Sequence, residues 1–190
     1  MRRAALAESG PRVDTTVMDG AGRELDFDEI VETWRPRLFR YALALLRDAD
    51  AAETITQDCF MRAWHALHTF RGDCSVQTWL MRIAVNLVRD HTRNRRLQFW
   101  KRAKSTGGRP LESYVAPGES QEKTAILKQQ LAAIWENAGR LPNRQKTVFF
   151  LRFVEDMDIL EIAAATGMKE GTVKAHLFRA LQTLRRSLTI

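Results

Sequence analysis

The 190-residue chain has room for one domain or two small ones, and 45% of its residues are hydrophobic, as in ordinary globular proteins. No apolar run approaches the roughly 18 residues of a membrane helix, and no apolar stretch follows Arg2 and Arg3 as in a secretory signal, so a cytoplasmic protein without a membrane span is expected. The net charge of +7 favours a polyanionic partner.

The N-terminal half has the pattern of three consecutive helices. Residues 1–24 mix Gly, Pro, Ser and Thr with charges, which predicts a flexible tail. After Phe27, apolar residues recur at steps of three and four, although Pro36 predicts a kink or the start of a new helix. A second helix is expected over Ala51–Leu67, and Ser75 or Thr78 can cap a third. No strand or hairpin pattern is found anywhere in the sequence.

The charges are unevenly distributed along the chain. Residues 82–104 carry eight cations and one acid, and a second basic zone begins at Lys169. Residues 24–64 carry nine acids and five cations, so they form an acidic zone. A non-specific basic surface would not need this separation.

The third helix carries its cations along one face. The members of that face, at helical spacing, are Arg82, Asn86, Arg89, Arg93 and Arg96. Phe70 and Trp79 lie close by in the sequence, and aromatic rings mixed with cations suit unpaired bases, since stacking contributes about 1–3 kcal/mol per base. The alternative is that Phe70 and Trp79 belong to the hydrophobic core.

The C-terminal half predicts a second helical module. Gly and Pro at high density over residues 99–121 predict a flexible linker. A helix is expected over 122–138, and two further helices are expected on either side of Gly167, around Ile159–Ala165 and Glu170–Arg186. The expected fold is therefore all-α, with two small helical domains at residues 25–98 and 122–190 joined by the linker.

The two helices around Gly167 have the pattern of a helix-turn-helix, because glycine readily adopts the left-handed conformation of a tight turn. In the second helix one side is apolar and consists of Val173, Leu177, Leu181 and Leu184. The opposite side offers cations for phosphates and mixed side chains for base edges: Thr172, Lys174, Ala175, Phe178, Arg179 and Gln182. The alternative is a solvated amphipathic helix that binds nothing.

Several motifs resemble, in the same order, those of bacterial RNA polymerase sigma factors. In the first module they are Phe70-Arg71-Gly72-Asp73, Thr78-Trp79-Leu80 and Arg82-Ile83-Ala84-Val85-Asn86. In the second they are Leu141-Pro142, Gln145, Val148-Phe149, Glu161-Ile162-Ala163, Gly171-Thr172-Val173-Lys174 and Leu177-Phe178-Arg179-Ala180. The chain length and the absence of a third domain resemble the extracytoplasmic-function (ECF) class. The resemblance covers about residues 27–98 (region 2) and 122–186 (region 4).

The resemblance implies two DNA contacts. Region 2 of the family melts and captures the −10 element, so Asn86 and the loop Ser75-Val76-Gln77 are expected to form a pocket for a flipped base. The other candidates at the −10 element are Phe70, Trp79, Arg82, Arg89 and Arg93. Region 4 reads the duplex −35 element, for which the candidates are Thr172, Lys174, Ala175, His176, Phe178 and Arg179.

The resemblance also implies protein partners. The acidic second helix matches the surface that grips the clamp coiled coil of core RNA polymerase, and the polymerase flap is a further expected contact. The candidates on that helix are Asp50, Glu53, Gln57, Asp58, Arg62 and Trp64. By analogy with the family, an anti-sigma factor is expected as an inhibitor. Two positions depart from the family pattern, since Thr54 replaces an acid and His176 replaces an arginine.

Two other classes of function, an enzyme and a dimeric helix-turn-helix regulator, are the alternatives. The four histidines have no carboxylate or cysteine partners at metal-ligand or triad spacing, and Cys59 and Cys74 lack metal-site spacing and fit a reducing cytosol, so no enzyme, metal or cofactor is expected. A dimeric helix-turn-helix regulator that does not bind core polymerase explains the C-terminal module. It leaves the Phe70–Asn86 block and the acidic helix without a role.

Overall fold

The structure is a computed structural model that describes residues 16–18, 24–103 and 134–188. Helices dominate these residues, as an all-α fold requires, and they form two modules. We call the three helices from Phe27 to Ala103 the N-terminal domain and the helices from residue 134 to Leu188 the C-terminal domain. None of the helices in the described ranges has the length and apolarity of a membrane span.

The N-terminal domain is a bundle of three helices: α1 (Phe27–Leu46), α2 (Ala49–Ala66) and α3 (Val76–Ala103), with a single 3-10 turn at Leu67–Thr69. Pro36 lies inside α1 and neither ends it nor starts a new helix. Asp48 caps α2 by accepting from the backbone N–H of Ala51 at 3.1 Å. Ser75 accepts from the backbone N–H of Thr78 at 3.2 Å, which confirms Ser75 as the cap of α3.

A short hairpin precedes α1 and was not predicted. Thr16–Met18 (β1) pairs antiparallel with Glu24–Asp26 (β2), with Thr16 opposite Asp26 and Met18 opposite Glu24. The prediction of an unstructured, strand-free segment before residue 25 is therefore wrong for these residues. Strands of three residues are too short to show alternation in the sequence, since about four to eight residues are needed. Residues 1–15 and 19–23 of the predicted tail lie outside the described ranges.

The predicted linker begins later than expected, because α3 continues to Ala103 and so includes residues 99–103. The remainder of that prediction, residues 104–121, and most of the helix expected over 122–138 lie outside the described residues. The described part of that helix, α4, covers residues 134–139.

The C-terminal domain continues with α5 (Asn143–Phe153), α6 (Ile159–Thr166) and α7 (Glu170–Leu188). Asp158 and Glu161 form a capping box at the start of α6: each carboxylate accepts from the other residue's backbone N–H, at 2.8 and 2.9 Å. α6 ends at Gly167, which has a φ of 70°, as the tight turn of a helix-turn-helix requires. Val148, Leu151, Ile162 and Val173 are fully buried and hold α5, α6 and α7 together.

Candidate nucleic-acid and protein interfaces

The exposed side of α7 has the composition predicted for a DNA-reading helix. Val173, Ala180 and Leu184 are buried against the rest of the C-terminal domain. The opposite side is exposed to solvent and consists of Thr172, Lys174, Ala175, Phe178, Arg179 and Gln182. Phe178 is 65% exposed, although burial of an aromatic ring would stabilise the fold. An exposed aromatic ring between two cations is a surface suited to a partner.

His176 does not share this exposed side. It lies three residues after Val173 and four before Ala180, so helical periodicity turns it towards the buried side. Its ring is half-buried, and its Nδ1 atom is buried without a hydrogen-bond partner among the described residues. Burial and the neighbouring guanidinium groups of Arg179 and Arg144 lower the pKa of His176. A neutral, half-buried imidazole is a poor contact for a phosphate, so the prediction for His176 as a −35 contact is not supported by its position.

The cationic face of α3 is present, but two of the residues assigned to the −10 contact are core residues. Arg82, Arg89 and Arg93 are exposed along α3, and Asn86 is half-buried between them. Val76 and Trp79 are buried, with exposed fractions of 4% and 9%. Trp79 packs on Phe70, with ring centroids 4.9 Å apart. The Trp79 ring therefore lies in the core beneath the cationic face of α3 and does not line that face.

The first helix of the helix-turn-helix lies on this face of α3. Arg82 Nε donates to the backbone oxygen of Ala164 at 3.0 Å, and Gln77 Nε2 donates to the backbone oxygen of Glu155 at 2.7 Å. The hydroxyl groups of Ser75 and Thr78 lie 3.5 and 3.4 Å from Oε1 of Glu161. We call this the closed arrangement. Ser75, Gln77 and Arg82, three of the residues predicted to contact the −10 element, are engaged with the C-terminal domain in this arrangement.

Glu155 is a functional candidate that the sequence did not reveal. It lies at the junction of the two domains, is 2% exposed, and forms an ion pair with Arg40 of α1 at 3.6 Å. Neither carboxylate oxygen accepts a hydrogen bond from the described residues. Burial raises the pKa of Glu155, while the guanidinium groups of Arg40 and Arg37 act in the opposite direction. Glu155 lies in an irregular turn, where no hydrophobic periodicity exists that could indicate that its side chain is buried.

We expect Glu155→Gln to stabilise the protein at neutral pH. The raised pKa means that the folded state binds a proton more tightly than the unfolded chain, so the contribution of Glu155 to stability falls as pH rises through its folded pKa. Removing a buried charge without hydrogen bonds should raise the thermal midpoint by about 2–4 °C, or about 1 kcal/mol in a chain of this size. The difference from wild type should shrink as pH falls towards the usual range of a carboxyl group.

The matched control is Arg40→Gln, which leaves the carboxylate without its ion pair and should lower the midpoint at neutral pH. Thermal melts of both variants across a pH series provide the measurement. A lower midpoint for Glu155→Gln at every pH would mean that the charged form of Glu155 stabilises the fold.

The predicted polymerase-binding residues lie along α2. Asp50, Gln57 and Arg62 are exposed, Glu53 and Asp58 are partly buried, and Trp64 is 37% exposed. Arg35 of α1 forms an ion pair with Glu53 and lowers its pKa, and Gln57 Nε2 donates to Glu53 at 3.2 Å. Trp64 packs edge-on against Phe27, with centroids 5.0 Å apart.

Two further side chains belong to the α2 surface. Met61 is 61% exposed and was missed by the sequence analysis, although its spacing from Gln57 and Trp64 places it on the same side. Thr54 replaces the acid expected at its position, and its hydroxyl donates to the backbone oxygen of Asp50 at 2.9 Å, so it presents no negative charge. The surface is therefore acidic at one end and apolar at the other.

Within the described ranges no group of three or more His, Cys, Asp or Glu side chains could hold a metal ion. Cys59 is buried, and burial raises the pKa of its thiol to about 12, so the thiolate does not form at neutral pH.

Comparisons with known proteins identify the family. Residues 30–98 match Sigma-70 region 2, and residues 132–184 match Sigma-70 region 4. The chain is 28% identical to the ECF sigma factor SigW of Bacillus subtilis, over 85% of this chain and 88% of SigW. It is 32% identical to the ECF sigma factor SigM of Mycobacterium tuberculosis, over 88% of this chain and 80% of SigM.

The fold is also similar to that of a solved structure. The sigma factor RpoE of Bartonella quintana, in complex with the anti-sigma factor NepR, matches with a TM-score of 0.70 at 22% identity, covering 86% of this chain and 97% of that chain. The two matched regions together account for both domains and for the motifs that carry the resemblance. The chain belongs to the extracytoplasmic-function class of bacterial RNA polymerase sigma factors, which are transcription initiation factors and not enzymes.

Proposed function

We propose that this sigma factor binds core RNA polymerase in the cytoplasm and directs it to promoters through the residues described above. The N-terminal domain, residues 25–98, captures the −10 element, and the C-terminal domain, residues 122–190, reads the −35 element. Residues 99–121 link the two domains, and residues 99–103 also form the end of α3. The observation that carries the proposal is the exposed side of α7, where Lys174, Phe178 and Arg179 project from the second helix of a helix-turn-helix.

At the −35 element, α7 enters the major groove with its N-terminal half. Arg179 has the geometry for a bidentate contact with a guanine edge, and Lys174 is suited to a phosphate or a base. The ion pair between Lys174 and Glu170 is 3.9 Å long and solvent-exposed, so it holds Lys174 only weakly. Thr172, Ala175 and Phe178 supply the hydroxyl and apolar groups that contact thymine methyl groups.

At the −10 element, Asn86 is the residue suited to an unpaired base, because an amide both donates and accepts. Arg82, Arg89 and Arg93 follow the phosphates along α3. In the closed arrangement α6 covers part of this surface, and Arg82, Asn86 and Arg89 line a cleft with residues 163–168. Capture of the −10 element therefore requires that α6 move away from α3.

The α2 surface binds the polymerase clamp coiled coil, with acids at one end and Met61 and Trp64 at the other. Asp50, Gln57 and Arg62 are exposed in the closed arrangement, so docking on polymerase can precede the separation of the domains. The C-terminal domain contacts the flap. Inhibition by an anti-sigma factor is supported by RpoE of similar fold, which was solved with the anti-sigma factor NepR.

Titration of the purified protein with core polymerase, followed by promoter-dependent transcription, tests the proposal. The sigma factor should bind core and start transcription at a defined site. A dimeric helix-turn-helix regulator should do neither. Binding without promoter-specific transcription would contradict the assignment of α3 and α7.

The double variant Glu53→Arg with Asp58→Arg should weaken core binding by more than about fivefold, because reversed charges at an interface repel the surface that attracted them. The control is Asp28→Arg with Glu32→Arg, which reverses two exposed acids on α1. Fluorescence anisotropy with labelled protein gives the affinities, and thermal melts verify folding. Equal affinities for the two double variants would place the polymerase contact elsewhere.

A further inference from the structure

A second cleft, distinct from the one beside α6, lies between α3 and the N-terminus of α5. Its volume is about 230 Å³. Among the described residues that line it, none is acidic and four are cations: Arg89, Arg93, Arg144 and Lys146. Asp90 lies nearby but is 4.0 Å from Arg89 and 3.7 Å from Arg93, so it neutralises these guanidinium groups only weakly.

Lys146 is the unusual member of this cleft. The residue is 9% exposed, and its ammonium group, which reaches solvent, forms no hydrogen bond or ion pair with the described residues. Burial and the neighbouring guanidinium group of Arg47 lower its pKa. A largely buried cation beside other cations and without an anionic partner destabilises a protein. Such a group is well placed to receive a negative charge from outside the chain.

The backbone contributes to the same cleft. α5 begins at Asn143, which lines the cleft, and Pro142 before it provides no side-chain cap. No acid occupies the first turn of α5. The first backbone N–H groups of a helix have no partner within it, and the helix dipole places positive potential there. Four cations and this helix end therefore face one small volume.

We propose that this cleft binds a phosphate-class anion, either a free phosphate or diphosphate or the terminal phosphates of a nucleotide. Phosphate oxygens accept from lysine, from guanidinium groups and from a helix N-terminus at the same time. The volume is below the usual range of about 300–1,000 Å³ for drug-sized ligands, so it fits a compact anion. Lys146 and Arg144 hold it from the C-terminal domain, and Arg89 and Arg93 from the N-terminal domain.

The bound anion bridges the two domains and stabilises the closed arrangement. Arg89 and Arg93 are also proposed −10 contacts, so the anion competes with promoter DNA for them. This consequence, unlike the binding itself, rests on the proposed function.

Inorganic diphosphate is the first probe, and the full-length protein is used without polymerase. At 100 times its dissociation constant, diphosphate should raise the thermal midpoint by about 5–10 °C above that in sodium chloride of equal ionic strength. Isothermal titration calorimetry gives the dissociation constant. Orthophosphate and a nucleoside triphosphate are then compared at the same ionic strength, which distinguishes a free ion from a nucleotide as the source.

Lys146→Met is the decisive variant, since methionine keeps an unbranched chain without charge. Its diphosphate affinity should fall at least about tenfold, as for a lost hydrogen bond to a charged group. Its midpoint without anion should equal or exceed that of wild type, because a cation that is repelled by the neighbouring cations has been removed. Lys169→Met, which removes the same charge from an exposed turn, should leave affinity and midpoint unchanged.

Two results would overturn the proposal. The first is a diphosphate shift that matches the sodium chloride control. The second is equal diphosphate affinity in wild type and Lys146→Met; a lower midpoint of that variant without anion would then make Lys146 a structural residue. Weaker binding of promoter DNA by Lys146→Met holoenzyme, with unchanged diphosphate binding, would reassign the cleft to the DNA backbone.

Discussion

A short crosslink between the two domains is expected to reduce promoter-dependent transcription by on the order of 100-fold, because activity scales with the fraction of protein in the competent arrangement. Arg40 and Asp156 are suitable cysteine positions. Arg40 reaches Glu155 across the domain boundary, and Asp156 is the next residue, with a side chain that is 99% exposed. A bismaleimide with a cleavable disulfide arm joins the two positions in the closed arrangement.

The native cysteines interfere little with this crosslinking experiment. Cys59 is buried and unreactive, so Cys74→Ser removes the reactive native thiol. A cysteine at position 156 has to adopt the φ of 53° of Asp156, and a cysteine at position 40 removes the ion pair with Glu155, so the melting midpoint is measured first.

The control is the same crosslink between cysteines at Glu136 and Arg140, which form an ion pair at the end of α4. It should leave transcription unchanged. Reduction of the linker should restore the activity of the Arg40–Asp156 protein. Full activity of the crosslinked protein would show that the domains need not separate.

Arg179→Ala is expected to reduce use of the cognate promoter by about 5- to 150-fold, the equivalent of the 1–3 kcal/mol of a bidentate base contact. The loss should be confined to promoters with the preferred base at one position of the −35 element, so selectivity at that position relaxes. A library of −35 sequences transcribed by the variant holoenzyme measures both quantities.

Arg186→Ala is the matched control, because it removes the same charge from an exposed position in the last turn of α7. It should change transcription little. A uniform loss across the library for Arg179→Ala would make Arg179 a phosphate contact. Unchanged transcription would exclude Arg179 from the −35 interface.

The local features of the fold were predictable from the sequence. Periodicity predicted the helices of both domains, Ser75 was one of the two predicted caps of α3, and Gly167 marked the tight turn before α7. The same period correctly separated the exposed side of α7, with Arg179, from the buried Val173. These features depend on neighbours within one or two helical turns, which a linear pattern records.

Features that depend on distant neighbours were not predictable. The bond between Gln77 and Glu155 joins residues 78 positions apart, and neither residue type indicates it. Trp79 was open to two interpretations because an aromatic residue beside cations fits both a core and a base-stacking surface, and the structure places it in the core. Lys146 has the spacing of an ordinary helical cation, and its burial arises only when α5 packs against α1.

The order of synthesis determines when the closed arrangement can first form. Ribosomes extend a chain from its N-terminus, so α3 is complete before α6 exists. At roughly 5–20 residues per second, the 85 residues between Ala103 and Leu188 take about 4 to 17 seconds. During that interval the nascent N-terminal domain has its cationic face uncovered, and any nucleic acid near the ribosome can reach it. The newly made C-terminal domain must therefore displace any nucleic acid that has already bound to this face.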